Sequence, residues 1–155
     1  APIANKATAT IAMTQVPGDN QIITLTSVDK FGTTLTKTYE FVVQSGSPAV
    51  SDPSHIPVFH KRPPAMDAVF TPAEVLFNLL VKIRSEQPSF SIASLTGALI
   101  LTQEVLGDSG NTSITSTLAD PNSAPSSFTG GSLSENINCL WQKDRRELSS
   151  ASDGI

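Results

Sequence analysis

One alternating run in the second half of the chain constrains the fold more than any other feature. Between Ala98 and Val105 (ALILTQEV), Leu99, Leu101 and Gln103 fall on one side of an extended backbone. Alternation with a period of two residues is typical of a half-buried β-strand. Phe90 to Leu95 predicts a shorter strand just before it. The two segments are separated by Thr96-Gly97, a candidate tight turn.

Three further strands are predicted in the first third of the chain. They run over Ala7–Met13, Gln21–Ser27 and Thr36–Val43. Pro17 to Asn20 and Asp29 to Thr33 read as the turns between them, so the second and third strands should form an antiparallel hairpin. On the third strand we expect the core to lie on the side of Lys37, Tyr39, Phe41 and Val43.

One segment has the pattern of an amphipathic helix. Thr71 is a candidate N-cap, Pro72 occupies the first helical position and Glu74 completes a capping box. An apolar stripe follows at helical spacing. It consists of Val75, Leu76, Leu79, Leu80 and Ile83.

These elements predict an α+β fold. We expect a small antiparallel sheet of about five strands packed on one main helix, Pro72 to Ser85, with long Pro/Ser-rich loops and Ala98–Val105 as a central strand under the helix. Residues 1–135 would form the domain. Residues 136–155 would form a short C-terminal helix, from Glu135 to Leu148, and a tail.

Charge restricts the classes of partner. Charged residues make up 15% of the chain and the net charge is −4. Nucleic-acid binding usually requires a basic patch. The densest basic group, Lys143, Arg145 and Arg146, is interleaved with acidic residues and predicts a solvated helix face. No run approaches the roughly 20 apolar residues of a membrane span. We therefore expect neither a nucleic-acid nor a membrane partner.

Residues 44–70 hold five prolines and little periodicity. Because proline lacks a backbone donor, we expect neither a helix nor a central strand there. The segment would be an extended arm that contacts a neighbouring subunit, or else a disordered loop. Its two histidines, His55 and His60, lie near Asp52 and Asp67, but their spacing matches no metal site. Surface or interface histidines are expected.

No catalytic, cofactor-binding or metal-binding residues are predicted. Cys139, the one cysteine, is most simply a small buried hydrophobe. Gly107-x-x-Gly110 lacks the Lys-Ser/Thr and the helix start of a phosphate-binding loop, so a turn is expected. Carboxylates are scattered, whereas acid–base catalysis needs titratable groups held together in a pocket. We expect a protein that is not an enzyme.

Several of these segments together resemble a known module. They are the hairpin with ITLTS and KTYEF (Lys37 to Phe41), the helix, ALILTQ (Ala98 to Gln103), G-x-x-GNTxIT (Gly107 to Thr115), FTGG (Phe128 to Gly131) and CLWQKDRREL. The series is similar to a β-rich module that recurs in structural proteins of tailed bacteriophages, particularly marine ones, and in related prophages. The similarity spans roughly Ile22 to Leu148 with a gap over the Pro-rich loop.

The resemblance implies a virion structural protein with no catalytic residues. Its partners would be copies of itself and other capsid, tail or fibre proteins, in a homo-oligomer. A host-receptor or carbohydrate-binding module on a fibre is an alternative, for which exposed aromatic side chains are needed, although most aromatic residues here look core-bound. A subunit of an extracellular bacterial or archaeal filament is another. The module also occurs within longer proteins.

Overall fold

The computed structural model describes residues 4–62, 68–118 and 124–133. In chain order the elements are β1 (Ala4–Ala12), β2 (Ile22–Val28), β3 (Thr34–Val43), β4 (Ile56–Arg62), β5 (Ala68–Val69), α1 (Pro72–Glu86), β6 (Ser91–Leu95), β7 (Ala98–Leu106), β8 (Thr115–Ser116) and β9 (Ser132–Leu133). A short 3-10 turn, Asp108–Gly110, follows β7. The β-rich α+β class predicted from sequence is confirmed.

The strands form two sheets, and the prediction of one sheet with about five strands is wrong. One sheet has the order β6-β7-β1-β9 and the other β5-β4-β3-β2-β8. The predicted β2–β3 hairpin and the β6–β7 hairpin are both present as antiparallel pairs. β1, however, pairs with β7 and not with its sequence neighbour β2. Periodicity identifies a strand but does not specify a partner far away in sequence.

The Pro-rich segment contributes a strand, contrary to the expectation of an arm or a disordered loop. β4 lies beside β3 in parallel, with Glu40 opposite Pro57. Residues 44–55 form the long connection that a parallel pair requires. Pro57 is tolerated because β5 pairs only with Lys61 and Arg62, so no described strand pairs with the outer side of β4 at the proline.

The helix matches its prediction closely. The Thr71 hydroxyl accepts from the Glu74 amide, and the Glu74 carboxylate accepts from the Thr71 amide, which completes the capping box. All five residues of the predicted apolar stripe are buried. α1 packs mainly on β4 and more lightly on β7. The strand that α1 mainly covers is therefore β4, from the Pro-rich segment, and the expected strand, β7, is covered less.

The sheets and the helix enclose one core, and a buried glutamine links the two sheets across it. Gln103 on β7 is fully buried on the same side as Leu99 and Leu101, as the alternation predicted. Its Oε1 accepts from the Val28 amide at 2.8 Å, and its Nε2 donates to the Thr26 carbonyl at 2.9 Å. β8 pairs with β2 only at Ile23 and Thr24. Beyond β8, the Gln103 side-chain amide makes the hydrogen bonds to β2, at Thr26 and Val28, that a neighbouring strand would otherwise make.

A second buried glutamine fixes the C-terminal end of α1 to β2 and β3 of the five-stranded sheet. Gln87, the C-cap of α1, donates through Nε2 to the carbonyls of Leu25 (3.0 Å) and Leu35 (2.8 Å). Its Oε1 accepts from the Tyr39 hydroxyl at 2.9 Å. Burial raises the pKa of Tyr39, and the nearby Glu86 carboxylate raises it further. The phenol therefore remains a hydrogen-bond donor throughout the ordinary pH range.

The two glycine-containing segments, Gly107 to Thr115 and Phe128 to Gly131, contact each other. The predicted turn at residues 107–111 is present, and Gly107 has a φ of 96°. Asn111 donates to the Gly131 carbonyl and accepts from the Gly131 amide, both at 3.0 Å. A Cβ on Gly131 would lie 2.3 Å from the Gly107 carbonyl oxygen. Phe128 is buried and stacks on Phe90 with 5.3 Å between ring centroids.

We expect Gln103→Leu to lower the free energy of unfolding by about 1–3 kcal/mol, because the buried Val28 amide loses its acceptor. Urea denaturation followed by circular dichroism measures the change. Gln15→Leu, at an exposed position, is the matched control and should be nearly neutral. Equal stability of the two variants would show that Gln103 does not hold the sheets together.

Candidate functional site

The most concentrated group of polar side chains surrounds Glu40, in the middle of β3. Its side chain is fully buried although alternation placed it on the outward face. The connection 44–55 folds back over that face and covers it. The sequence contained one indication that both faces of β3 are buried. Val42 and Val43 follow Phe41 without alternation, and a continuous apolar run is typical of a strand covered on both faces.

Three residues contact the Glu40 carboxylate: Asn20 from the turn at residues 17–20, and Ser51 and His55 from the connection at residues 44–55. Asn20 donates from Nδ2, and Ser51 donates from its amide (2.9 and 3.0 Å to the two oxygens) and from its hydroxyl (2.9 Å). His55 Nδ1 lies 2.6 Å from Oε1, so this nitrogen carries the proton and donates. Asn20 also donates to the Ala49 carbonyl at 3.1 Å.

These contacts decide the charge state of the carboxylate. Burial raises the pKa of Glu40, but the hydrogen bonds from His55, Asn20 and Ser51 outweigh burial and hold the pKa below its ordinary value of 4.5. Glu40 is thus a buried anion whose oxygens both accept hydrogen bonds. It binds the two loops to the sheet.

His60, on β4, is buried, and the expectation that it is a surface or interface residue is wrong. Its Nδ1 donates to the Pro17 carbonyl at 2.7 Å. Its Nε2 lies 2.9 Å from Asp19 Oδ1 but off the direction of a hydrogen bond. Lys61 Nζ lies 3.4 Å from the same oxygen. His60 therefore fixes the turn at residues 17–20 from beneath.

His55 is partly covered, with 17% of its side chain exposed. The structure does not bring the two histidines onto a common ligand, since one binds Glu40 and the other the 17–20 turn. Asp52 accepts from the amide and hydroxyl of Ser54, and these bonds lower its pKa. Within the described residues no group of three or more His, Cys, Asp or Glu side chains is arranged to hold a metal ion.

Other residues singled out from sequence lie outside the described ranges. These are Asp67, Cys139, Lys143, Arg145 and Arg146, together with the predicted C-terminal helix.

A shallow cleft adjoins the Glu40 group. It is lined by Asp19, Asn20, Val42, Val43, Ser45, Ser47 and Ala49 and has a volume of about 190 Å³. Small-molecule sites are usually about 300–1,000 Å³. The polar groups beside the cleft are already bonded to one another. The arrangement is that of a clamp holding two loops, in which the carboxylate has no free lone pair directed at a substrate.

A second candidate site is a surface patch without charge. Nine outward side chains on three neighbouring strands form it: Ser91, Ala93 and Leu95 on β6, Ala98, Ile100 and Thr102 on β7, and Thr8, Thr10 and Ala12 on β1. We call these nine residues the uncharged face, and the charged residues Lys6 and Glu104 follow at one end of it on the outward sides of β1 and β7. None is buried, and Leu95 is 54% exposed. Sequence alternation predicted the outward side of β7, with Glu104 as its fourth member, but not the neighbouring strands, because the β1–β7 pairing was not foreseen.

Searches with the chain matched no family model, no curated protein sequence and no solved structure. No helix within the described ranges is both long enough and apolar enough to cross a membrane.

We expect Glu40→Gln to destabilise the protein by about 1.5–3 kcal/mol near neutral pH, because hydrogen bonds to a charged acceptor contribute about that much. A depressed pKa contributes stability that is complete above the unfolded value near 4.5 and is lost as pH falls through the folded pKa. The difference between wild type and variant should therefore shrink on acidification below that value.

Urea titrations from neutral to acidic pH measure this difference. Asp108→Asn, at an exposed position, is the control and should leave stability nearly unchanged at every pH. A gap between wild type and Glu40→Gln that stays constant through the acidic range would contradict a buried anionic Glu40.

Proposed function

We propose that this chain is a non-enzymatic structural protein of a tailed-phage virion. In this proposal it assembles through contacts with copies of itself and with capsid or tail proteins. The observation that carries the proposal is the uncharged face. It spans three paired strands, and its nine residues are exposed or half-buried.

Charge distribution supports an assembly role for this face. The chain contains 24 ionisable charges, 10 basic and 14 acidic, and a net charge of −4. None of them lies among the nine residues of the uncharged face. Charged groups are depleted at the centre of protein interfaces because removing them from water is costly. Two like-charged copies can approach most closely where neither presents a charge.

The chemistry of the Glu40 group also favours a structural role. Both carboxylate oxygens accept hydrogen bonds from the protein. A general base instead needs a free lone pair within reach of a substrate proton. The group is better suited to holding the 17–20 turn and the 44–55 connection in a fixed shape, as a repeated assembly contact requires.

The resemblance supplies the virion context. Its two glycine motifs contact each other through Asn111 and Gly131, so they act in packing, and a module that recurs for its shape fits a structural role. An extracellular filament subunit is the alternative location. In this proposal the assembly contact is the uncharged face rather than an arm formed by residues 44–70. Deletion of residues 47–64 would not test whether this segment is an arm, because it would also remove β4.

The test is incorporation into particles. Tagged copies of three proteins are expressed in host cells that are producing the phage that encodes this chain: the unchanged chain, Thr10→Lys and Thr34→Lys. Phage particles are then purified on a gradient and analysed by mass spectrometry. Thr10 lies on the uncharged face, whereas Thr34 is exposed on β3 in the other sheet. We expect Thr10→Lys to be depleted at least about tenfold, equivalent to about 1.4 kcal/mol, and Thr34→Lys to be incorporated normally.

Absence of the unchanged chain from particles would contradict the virion role. Recovery of the chain in filaments would favour the alternative location. Normal incorporation of Thr10→Lys would show that the uncharged face is not the assembly contact.

One observation favours a carbohydrate-binding module as a second candidate. Phe31, at the tip of the β2–β3 hairpin, is 82% exposed, and Phe77 on α1 is 61% exposed, although most aromatic residues were expected in the core. Lys30 Nζ lies 5.3 Å from the centre of the Phe31 ring. Exposed aromatic rings can stack on sugar faces.

A glycan array separates this candidate from the structural role. A specific signal that Phe31→Ala abolishes, and that Phe77→Ala leaves intact, would support sugar binding at the hairpin tip. We expect no specific signal from the wild-type chain.

A further inference from the structure

The two sheets end in four edges, and one of them differs from the others. β5, β8 and β9 are edge strands of two residues each, whereas β6 has five. Very short edge strands are a common protection against unwanted pairing. β1 is also covered beyond β9, because Thr8 and Thr129 exchange backbone hydrogen bonds of 2.8 and 3.0 Å. Among the described residues, no strand pairs with the outer side of β6.

β6 also lacks the other devices that block an edge. Its sequence, SIASL, contains no charged residue and no proline. Its pairing with β7 runs from Ser91–Thr102 to Leu95–Ala98 without a bulge. All of its residues except Ile92 are exposed. A regular, uncharged and exposed edge is a template for another strand.

We propose that β6 pairs in antiparallel fashion with β6 of a second copy, around a two-fold axis at Ala93. This inference rests on the assembly role proposed above and names its first contact. The pairing would place Ser91 opposite Leu95, Ile92 opposite Ser94 and Ala93 opposite Ala93. It would join two four-stranded sheets into one of eight strands and make the uncharged faces of both copies continuous.

The choice of a second copy follows from symmetry and charge. An antiparallel strand pair is self-complementary, as a two-fold interface requires. The net charge of −4 opposes association of two copies elsewhere on the surface, but β6 brings no charge to the axis. The strand also borders the uncharged face, so pairing leaves that face available for further partners.

The β6–β6 contact buries little surface, so we expect its affinity to be low. Stable interfaces usually bury at least about 1,000 Å², more than pairing of two five-residue strands provides. We therefore expect a weak, concentration-dependent dimer of the isolated chain. Many copies held in one assembly raise the effective concentration and convert a weak contact into a stable one.

Sedimentation velocity between about 10 µM and about 1 mM covers the range of such weak association. We expect the wild-type sedimentation coefficient to rise with concentration. Ala93→Lys and Ala93→Glu should each remain monomeric, since like charges directly opposite each other destabilise a strand pair. An equimolar mixture of the two variants should dimerise, because the axis then places Lys opposite Glu.

Thr34→Lys is the matched control. It adds a charge at an exposed position on β3, in the other sheet, and should dimerise like wild type. Circular dichroism and thermal melting confirm that each variant folds. Hydrogen exchange of the β6 amides that do not pair with β7 should slow with concentration in the wild-type chain and in the control, but not in either Ala93 variant alone.

Three results would overturn the inference: a wild-type chain that is monomeric at every concentration, lysine and glutamate variants that dimerise alone, or a mixture that does not recover association. If the β6 amides that do not pair with β7 are protected at all concentrations in a monomer, another part of the same chain covers the edge. None of these results bears on whether the chain is found in particles, so the two proposals can fail separately.

Discussion

The fold depends on one side-chain amide that takes the place of a strand. Gln103 extends from β7 to the edge of β2 and satisfies a donor and an acceptor that β8 is too short to reach. A buried unpaired amide destabilises a protein by about 1–3 kcal/mol. Besides Gln103, the Glu104 carboxylate on β7 accepts from the Lys30 amide at 3.0 Å, but Gln103 makes the buried polar contacts between the two sheets. Its hydrogen bonds fix how one sheet sits against the other, and hence where β6 and the uncharged face lie.

Local sequence patterns predicted the elements far better than their pairing. The capping box at Thr71, the β2–β3 hairpin and the buried side of β7 follow from neighbouring residues, so each could be derived. β4 could not, because Pro57 masks the pattern and the strand is defined by its parallel contact with β3. The pairing of β1 with β7 joins segments remote in sequence, so no periodicity reveals it.

The candidate sites show the same limit. Glu40 is an ordinary exposed position by alternation, and only the return of residues 44–55 over the strand makes it a buried anion. His60 likewise lies in a segment that looked like a loop, yet it is inside a sheet and bonded to Pro17. Both side chains are buried because another segment of the chain lies over them. Composition and residue spacing do not predict such long-range contacts.

The position of β1 between β7 and β9 has a consequence for synthesis of the chain. Among the described strands, β1 is made before its partners, and it can pair only after residues 98–106 and 132–133 have been made. Until then β1 and the growing sheet present unpaired edges, which are prone to aggregation. Non-local pairing of this kind also slows folding. The four-stranded sheet can therefore be complete only after β9 has been made.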